Sequence, residues 1–346
     1  MTLYPLRLQR KLDYRLWGGQ RLARWLDLPE PLPTDLAESW QVYESNQVLN
    51  GPLSGRTLAE VTRAYGADLV GTLSIPRYGL DFPLLAKFLD ANAKLSIQVH
   101  PDDAYAHSVE AHTGFHGKTE AWYILHAEPG AQLVYGLKQT TARDSFKQAV
   151  ADGALEELLN YVDVEAGDVV FVPAGTLHAI NEGILLFEIQ QKSDLTYRIY
   201  DYNRRDARGN LRELHLDKAL DVLHFGPPTQ EKTPPLSLAP GRDLLVACPY
   251  FALERHRYVE SRPFRTRPTS FEIWTLVESR ATVAGEKLKA GDSLVLPASL
   301  GDYDIDPDPD CTLLRCYVPD LATDLLEPLR ELGYDEARIM QTVRLT

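Results

Sequence analysis

Cysteine is scarce in this chain of 346 residues: Cys248, Cys311 and Cys316 form an odd, sparse set. Such a set does not staple a secreted scaffold and suits a reducing compartment, so a cytoplasmic location is expected. Long apolar runs are missing too. The longest, 168–173 and 183–189, have strand length, far below the roughly 18 to 20 residues of a membrane-spanning helix, and no membrane partner is expected. The opening MTLYPLRLQRKLDYRLWGG scatters charges where a signal peptide needs an apolar core, so it reads as mature protein. Positive charge is in deficit: 36 Lys and Arg against 49 Asp and Glu leave a net charge of −13. That balance provides no broad footprint for nucleic acid. The length allows one large domain or two, each with a sizeable core.

Periodicity predicts many short strands and few helices. Thr57 and Glu60 have capping-box spacing ahead of Val61 and Ala64 and open a first helix. A second is expected from Pro101 to Gly114, with Asp102 and Asp103 near the positive end of its dipole. A third covers 142–161, interrupted at Gly153, and a fourth covers 211–225, with Leu214, Leu216, Ala219, Leu220 and Leu223 at helical spacing. Strands are expected at 94–100, 119–126, 168–172, 184–190 and 196–202, then in a series over 244–318. Within 94–100 the period of two puts Leu95, Ile97 and Val99 on one face and Ser96, Gln98 and His100 on the other. The proline-rich stretch 227–240 reads as a linker.

An internal repeat flanks that linker. GDVVFVPA at 167–174 recurs as GDSLVLPA at 291–298, and upstream EAWYIL at 120–125 is matched by EIWTLV at 272–277. Paired matches in the same order indicate duplication of one β unit. Two domains are expected, 1–230 and 231–346.

The turn Gly167-x5-Pro173-x-Gly175-x2-His178 resembles the second motif of the cupin superfamily, in which a Gly-Pro-Gly turn delivers an imidazole into the mouth of a jelly-roll barrel. Asn181 falls one residue short of the Asn in that pattern. The first cupin motif would be represented by Gln98, His100 and, after an insertion, Glu120. The resemblance implies a mainly β fold of two cupin-type jelly-roll β-barrels, a bicupin, with a few helices. Gln98, His100, Glu120 and His178 would then offer O, N, O and N donors, a set that suits zinc with one position left open. A rival group, His107, His112 and His116, includes an i, i+4 pair. Because Gly114 should end the helix between the last two, these three are read as solvent-facing.

Longer segments resemble a narrower family. LSIQVHPDD at 95–103, GKTEAWY at 117–123, EIQQKSD at 188–194 and TYRIYDY at 196–202, with WGG at 17–19, ESW at 38–40 and FPLL at 82–85, are similar to type I mannose-6-phosphate isomerases of the short bacterial form. The likeness runs from about residue 8 to 225 and is architectural beyond 233. It implies Zn2+ on Gln98, His100, Glu120 and His178, a catalytic Arg198, and interconversion of mannose 6-phosphate and fructose 6-phosphate through a cis-enediol. A guanidinium stays protonated, so Arg198 is assigned to stabilising the enediolate or to orienting sugar or phosphate oxygens. Lys118 shares the strand face of Glu120 and is a candidate for substrate phosphate or hydroxyl contact. The general base stays open among Glu188, Asp194 and a metal-bound water. The second copy keeps Glu272 but has no His after Pro297, so the C-terminal unit is expected to be metal-free, with one zinc per chain. A non-catalytic sugar-binding bicupin and a metal-dependent cupin oxygenase are the alternative readings.

Overall fold

Strands buried on both faces organise the architecture. Ile184–Gln191 and Leu84–Ala91 are buried at all eight positions of each, and they lie side by side at the centre of a six-stranded sheet that also holds Lys11–Gly19, Leu36–Val42, Glu120–Ala127 and Val169–Val172. Alternation divides their side chains. Leu185, Phe187 and Ile189 enter the large core shared with the C-terminal half, together with Phe271, Ile273, Val295 and Leu314. Leu186, Glu188 and Gln190 point the opposite way. The computed structural model describes residues 2–205 and 208–345.

Opposite this sheet stands a five-stranded one in the order Tyr197–Tyr200, Ile97–Val99, His178–Ile180, Gln132–Leu137, Leu159–Asp163. Its outer face packs Ile97, Val99, Ala179 and Ile199 against Phe146, Leu155, Ala219 and Leu220 from the helices. Its inner face looks across a cavity at the six-stranded sheet. The C-terminal half forms a nine-stranded antiparallel sheet, completed at one edge by the N-terminal strand Leu6–Arg7, which pairs with Ser293–Leu296. The fold is thus mainly β, as expected, although hydrogen bonding leaves three open sheets instead of closed barrels among the described residues.

The sequence repeat is a repeat of pairing. Glu120 lies opposite Val172 and Trp122 opposite Val170, as Glu272 lies opposite Leu296 and Trp274 opposite Leu294.

The helices are shorter than periodicity suggested. Thr57 caps Leu58–Tyr65 with the full reciprocal box, worth about 1 kcal/mol. The second helix is only Asp103–Ser108, and its cap is Asp102, so Pro101 stays outside. The third ends as Arg143–Ala151 and Leu155–Leu158, because 159–161 pair as strand with 132–137. The fourth shrinks to Leu216–Val222, leaving Leu211 and Leu214 exposed. Within the proline-rich stretch, Leu236–Ala239 is a strand. All three cysteines are buried and unpaired.

Candidate metal centre and active-site cavity

One rung across the five-stranded sheet carries the functional side chains. Arg198 pairs with Gln98, Gln98 with His178, and His178 with Tyr135, so alternation puts all four on the inner face of the sheet, where Arg198 and Gln98 line the cavity. Glu120 reaches in from the opposite sheet. Its Oε1 lies 3.4 Å from His178 Nε2 and its Oε2 lies 3.6 Å from His100 Nε2, and all three residues are buried.

Both imidazoles are oriented from behind. His100 Nδ1 lies 2.8 Å from the Leu195 carbonyl and His178 Nδ1 lies 2.9 Å from the Thr176 carbonyl. A carbonyl only accepts, so each Nδ1 carries the hydrogen and each Nε2 presents its lone pair toward Glu120, as imidazoles do when the other nitrogen binds a metal. Burial first, and the Lys118 ammonium next, hold His100 well below the usual imidazole range. Burial alone dominates at His178 and brings it down to about 4. Both rings are therefore neutral, as ligands must be.

The turn that positions His178 needs its glycine. Gly175 has φ +84°, and a Cβ there would meet the Val222 carbonyl oxygen at 2.9 Å. Its N–H donates to the His100 carbonyl at 2.8 Å, which ties the turn to the other imidazole's own backbone.

The sequence-predicted set comes together around this point. The Gln98 amide nitrogen is 3.3 Å from His178 Nε2; presenting the oxygen instead takes a half-turn of the amide, which exchanges two atoms of similar size. Lys118 is closer to the donors than a substrate-contact role required, with Nζ 3.0 Å from His100 Nε2 and 2.9 Å from Glu120 Oε2. Glu120 Oε2 still receives no hydrogen bond of good geometry. Two neutral imidazoles, a buried carboxylate and a carboxamide gathered at one point fit a divalent cation such as zinc.

Arg198, half-buried, is held by two donations, Nε to Ser96 Oγ at 3.2 Å and Nη1 to the Glu213 carbonyl at 2.9 Å. It lines a cavity of about 480 Å³ together with Gln98, Lys118 and Glu120, and the wall adds Lys11, Arg15 and Arg212. Asp194 is exposed at the rim of that cavity. Glu188 is buried in it, with Lys87 Nζ 3.3 Å from one oxygen and Trp122 Nε1 donating to the other at 3.2 Å. Burial, then the nearby Glu120 charge, raises its proton affinity.

Sequence reasoning missed Lys87 and its partner Glu38, 3.2 Å away. The available signal was an ionisable residue inside the apolar strand Leu84–Ala91. The rival histidines are also arranged differently: His112 is exposed, while half-buried His116 pairs with His107 at 2.9 Å.

In the C-terminal half, Glu272 takes the place of Glu120 but meets a guanidinium. Arg315 Nη2 lies 2.5 Å from its Oε1, Tyr303 and Trp274 donate to its other oxygen, and Arg315 Nη1 also approaches the fully buried Glu254 at 3.5 Å. His256 is buried there as well, between Glu254 and Tyr258. A protein cation thus sits beside the carboxylate that the second copy keeps.

Residues 5–147 match the family described as phosphomannose isomerase type I, catalytic domain. The mannose-6-phosphate isomerase of Streptococcus mutans is 37% identical over 313 residues, which are 88% of this chain and 96% of that protein. The crystal structure of the mannose 6-phosphate isomerase from Bacillus subtilis is 32% identical, covers 91% of this chain and 99% of its own, and superposes with a TM-score of 0.79. A zinc-bound mannose 6-phosphate isomerase structure is 17% identical with a TM-score of 0.74, covering 91% of this chain and 100% of its own, a likeness of fold.

Proposed function

The chain belongs to the type I phosphomannose isomerase family, and on that premise we propose that it interconverts mannose 6-phosphate and fructose 6-phosphate with zinc held by Gln98, His100, Glu120 and His178. The observation that carries this reading is the convergence of two imidazole Nε2 atoms, each ring held through Nδ1 by a backbone carbonyl, on a buried carboxylate, beside a cavity that Glu120 and Arg198 line. Zinc in such a site supplies Lewis acidity toward the carbonyl without changing oxidation state.

The two sugars differ in which of C1 and C2 bears the carbonyl, so the reaction removes a proton from one carbon, holds a cis-enediol and returns the proton to its neighbour. Arg198, with two of its donors tied to the protein, keeps the rest of its fork for the enediolate or sugar oxygens. Lys118 offers its ammonium to a hydroxyl or phosphate oxygen. Lys11, Arg15 and Arg212 line the cavity and offer cations to a phosphate dianion, Arg15 and Arg212 while also paired with Asp13 and Asp201. Among the protein groups open as base, Glu188 has the burial and raised proton affinity that suit holding a proton at a carboxylate oxygen, whereas Asp194 stands exposed at the rim. The unpaired buried cysteines fit a cytoplasmic enzyme.

Turnover of fructose 6-phosphate, measured before chelation, after it and after return of zinc, tests the reading. Activity that disappears and comes back with the ion supports it. Sugar-phosphate binding without turnover in the zinc-loaded protein would make the chain a sensor, and oxygen uptake would make it an oxygenase.

A further inference from the structure

Outside the cavity, one other cluster of ligand-type side chains is gathered tightly among the described residues. Asp103 and His107 stand four residues apart on Asp103–Ser108 and so share a helix face. The chain then makes one tight turn at Ala111–Thr113, reverses through Gly114 and brings His116 against them. His107 Nε2 and His116 Nδ1 are 2.9 Å apart, and one ligand atom from each of the three residues lies within 4.8 Å of the others. We propose that Asp103, His107 and His116 form a second divalent-metal site, selective for an imidazole-preferring transition ion such as zinc.

The cluster is braced as ligands are. Asp103 Oδ1 accepts from the Gly117 N–H at 2.9 Å and from Gln191 Nε2 at 3.0 Å, which fixes the carboxylate. The His116 ring stands edge-on to Tyr78 at 4.9 Å, and the His116 carbonyl accepts from Ser193 Oγ at 2.7 Å. Such outer contacts set ring and carboxylate orientation before an ion arrives. Ligand atoms on a tetrahedral zinc with bonds of about 2.0–2.1 Å stand about 3.3 Å apart, so the imidazoles need part by only a few tenths of an ångström. Two nitrogens and one oxygen favour zinc, nickel or copper over magnesium or calcium. Because His107 is exposed and His116 half-buried, the ion exchanges with solvent and is held less tightly than one at the buried site.

The location gives the ion structural reach. Gln191 and Ser193, which brace the cluster, begin the segment whose Leu195 carbonyl orients His100. An ion here ties the 103–117 excursion to the backbone behind the active-site imidazole. The expected content rises from one ion per chain to two, with the additional one on a loop of the N-terminal half and not in the duplicated unit.

The test is calorimetric titration of the zinc-loaded protein, dialysed free of excess metal, with zinc chloride. The wild type is expected to take up one further ion per chain. His107→Gln should abolish that uptake, Asp103→Asn should weaken it at least tenfold, and His112→Gln should leave it intact. No further uptake by the wild type, or unchanged affinity in His107→Gln, would overturn the site. His107 is exposed, so its substitution leaves the core untouched, and the readout requires no turnover.

Discussion

Replacing Arg198 by lysine tests the electrostatic half of the proposed chemistry. The guanidinium is pinned at two points, Ser96 Oγ and the Glu213 carbonyl, and keeps a planar remainder toward the cavity. Lysine is a single flexible ammonium, so it can hold one of those anchors or reach the ligand, not both. Loss of one fixed donor toward developing negative charge is worth about 3 kcal/mol, which is roughly a hundredfold in rate. If Arg198 acts only in the transition state, kcat and kcat/KM fall together and KM hardly moves. The assay is formation of fructose 6-phosphate coupled to a dehydrogenase, run beside elemental analysis, since none of the four metal donors is altered. Near-normal kcat would show that Arg198 is structural, and loss of zinc would show that it organises the donors instead.

His178→Ala and Glu120→Ala should each lose bound zinc and activity while keeping the circular dichroism of the wild type, because few-ligand sites lose affinity steeply with each donor; either variant with full zinc and normal turnover would remove the assigned site. Glu272→Gln should leave zinc content and kcat unchanged at low temperature, yet breaking its buried pair with Arg315 should cost about 3–5 kcal/mol, or roughly 4–7 °C in Tm for a chain of this length; an unchanged Tm would mean that the pair contributes nothing. Metal-stripped protein should lose stability as pH falls from about 6.5 to about 4. Across that window the unfolded chain takes up the proton that buried His178, brought down to about 4, refuses, and urea unfolding at pH 7, 5.5 and 4.5 reads the effect, with a flat profile contradicting it.

Where the sequence spoke clearly, one physical rule acted alone. The period of two put Gln98 and His100 on a common face, and the Gly-Pro-Gly turn marked His178; both placements appear in the fold because pairing of Gln98 with His178 leaves no other arrangement. The duplication was legible for the same reason, since the two Glu-x-Trp strands pair identically. Residues 159–161 failed as helix because a neighbouring strand offered them partners that composition does not encode. The pairing of Lys87 with Glu38 and Glu188 escaped notice because the three carriers are far apart in the chain and meet only across strands. Arg315 was invisible likewise: no motif announces that a strand arginine will stand beside the second unit's carboxylate. His112 and His116 were paired by helical spacing, whereas the turn at Ala111–Thr113 gave His116 to His107.

The most direct test of the central claim, a zinc centre in the N-terminal half only of the duplicated pair, is anomalous scattering from crystals on both sides of the zinc absorption edge. A peak is expected within bonding reach of His100 Nε2, His178 Nε2, the Glu120 carboxylate and the Gln98 amide oxygen, and none between Glu254 and Glu272. A peak in the C-terminal half, or no zinc beside His100 and His178 in protein that turns over mannose 6-phosphate, would contradict it.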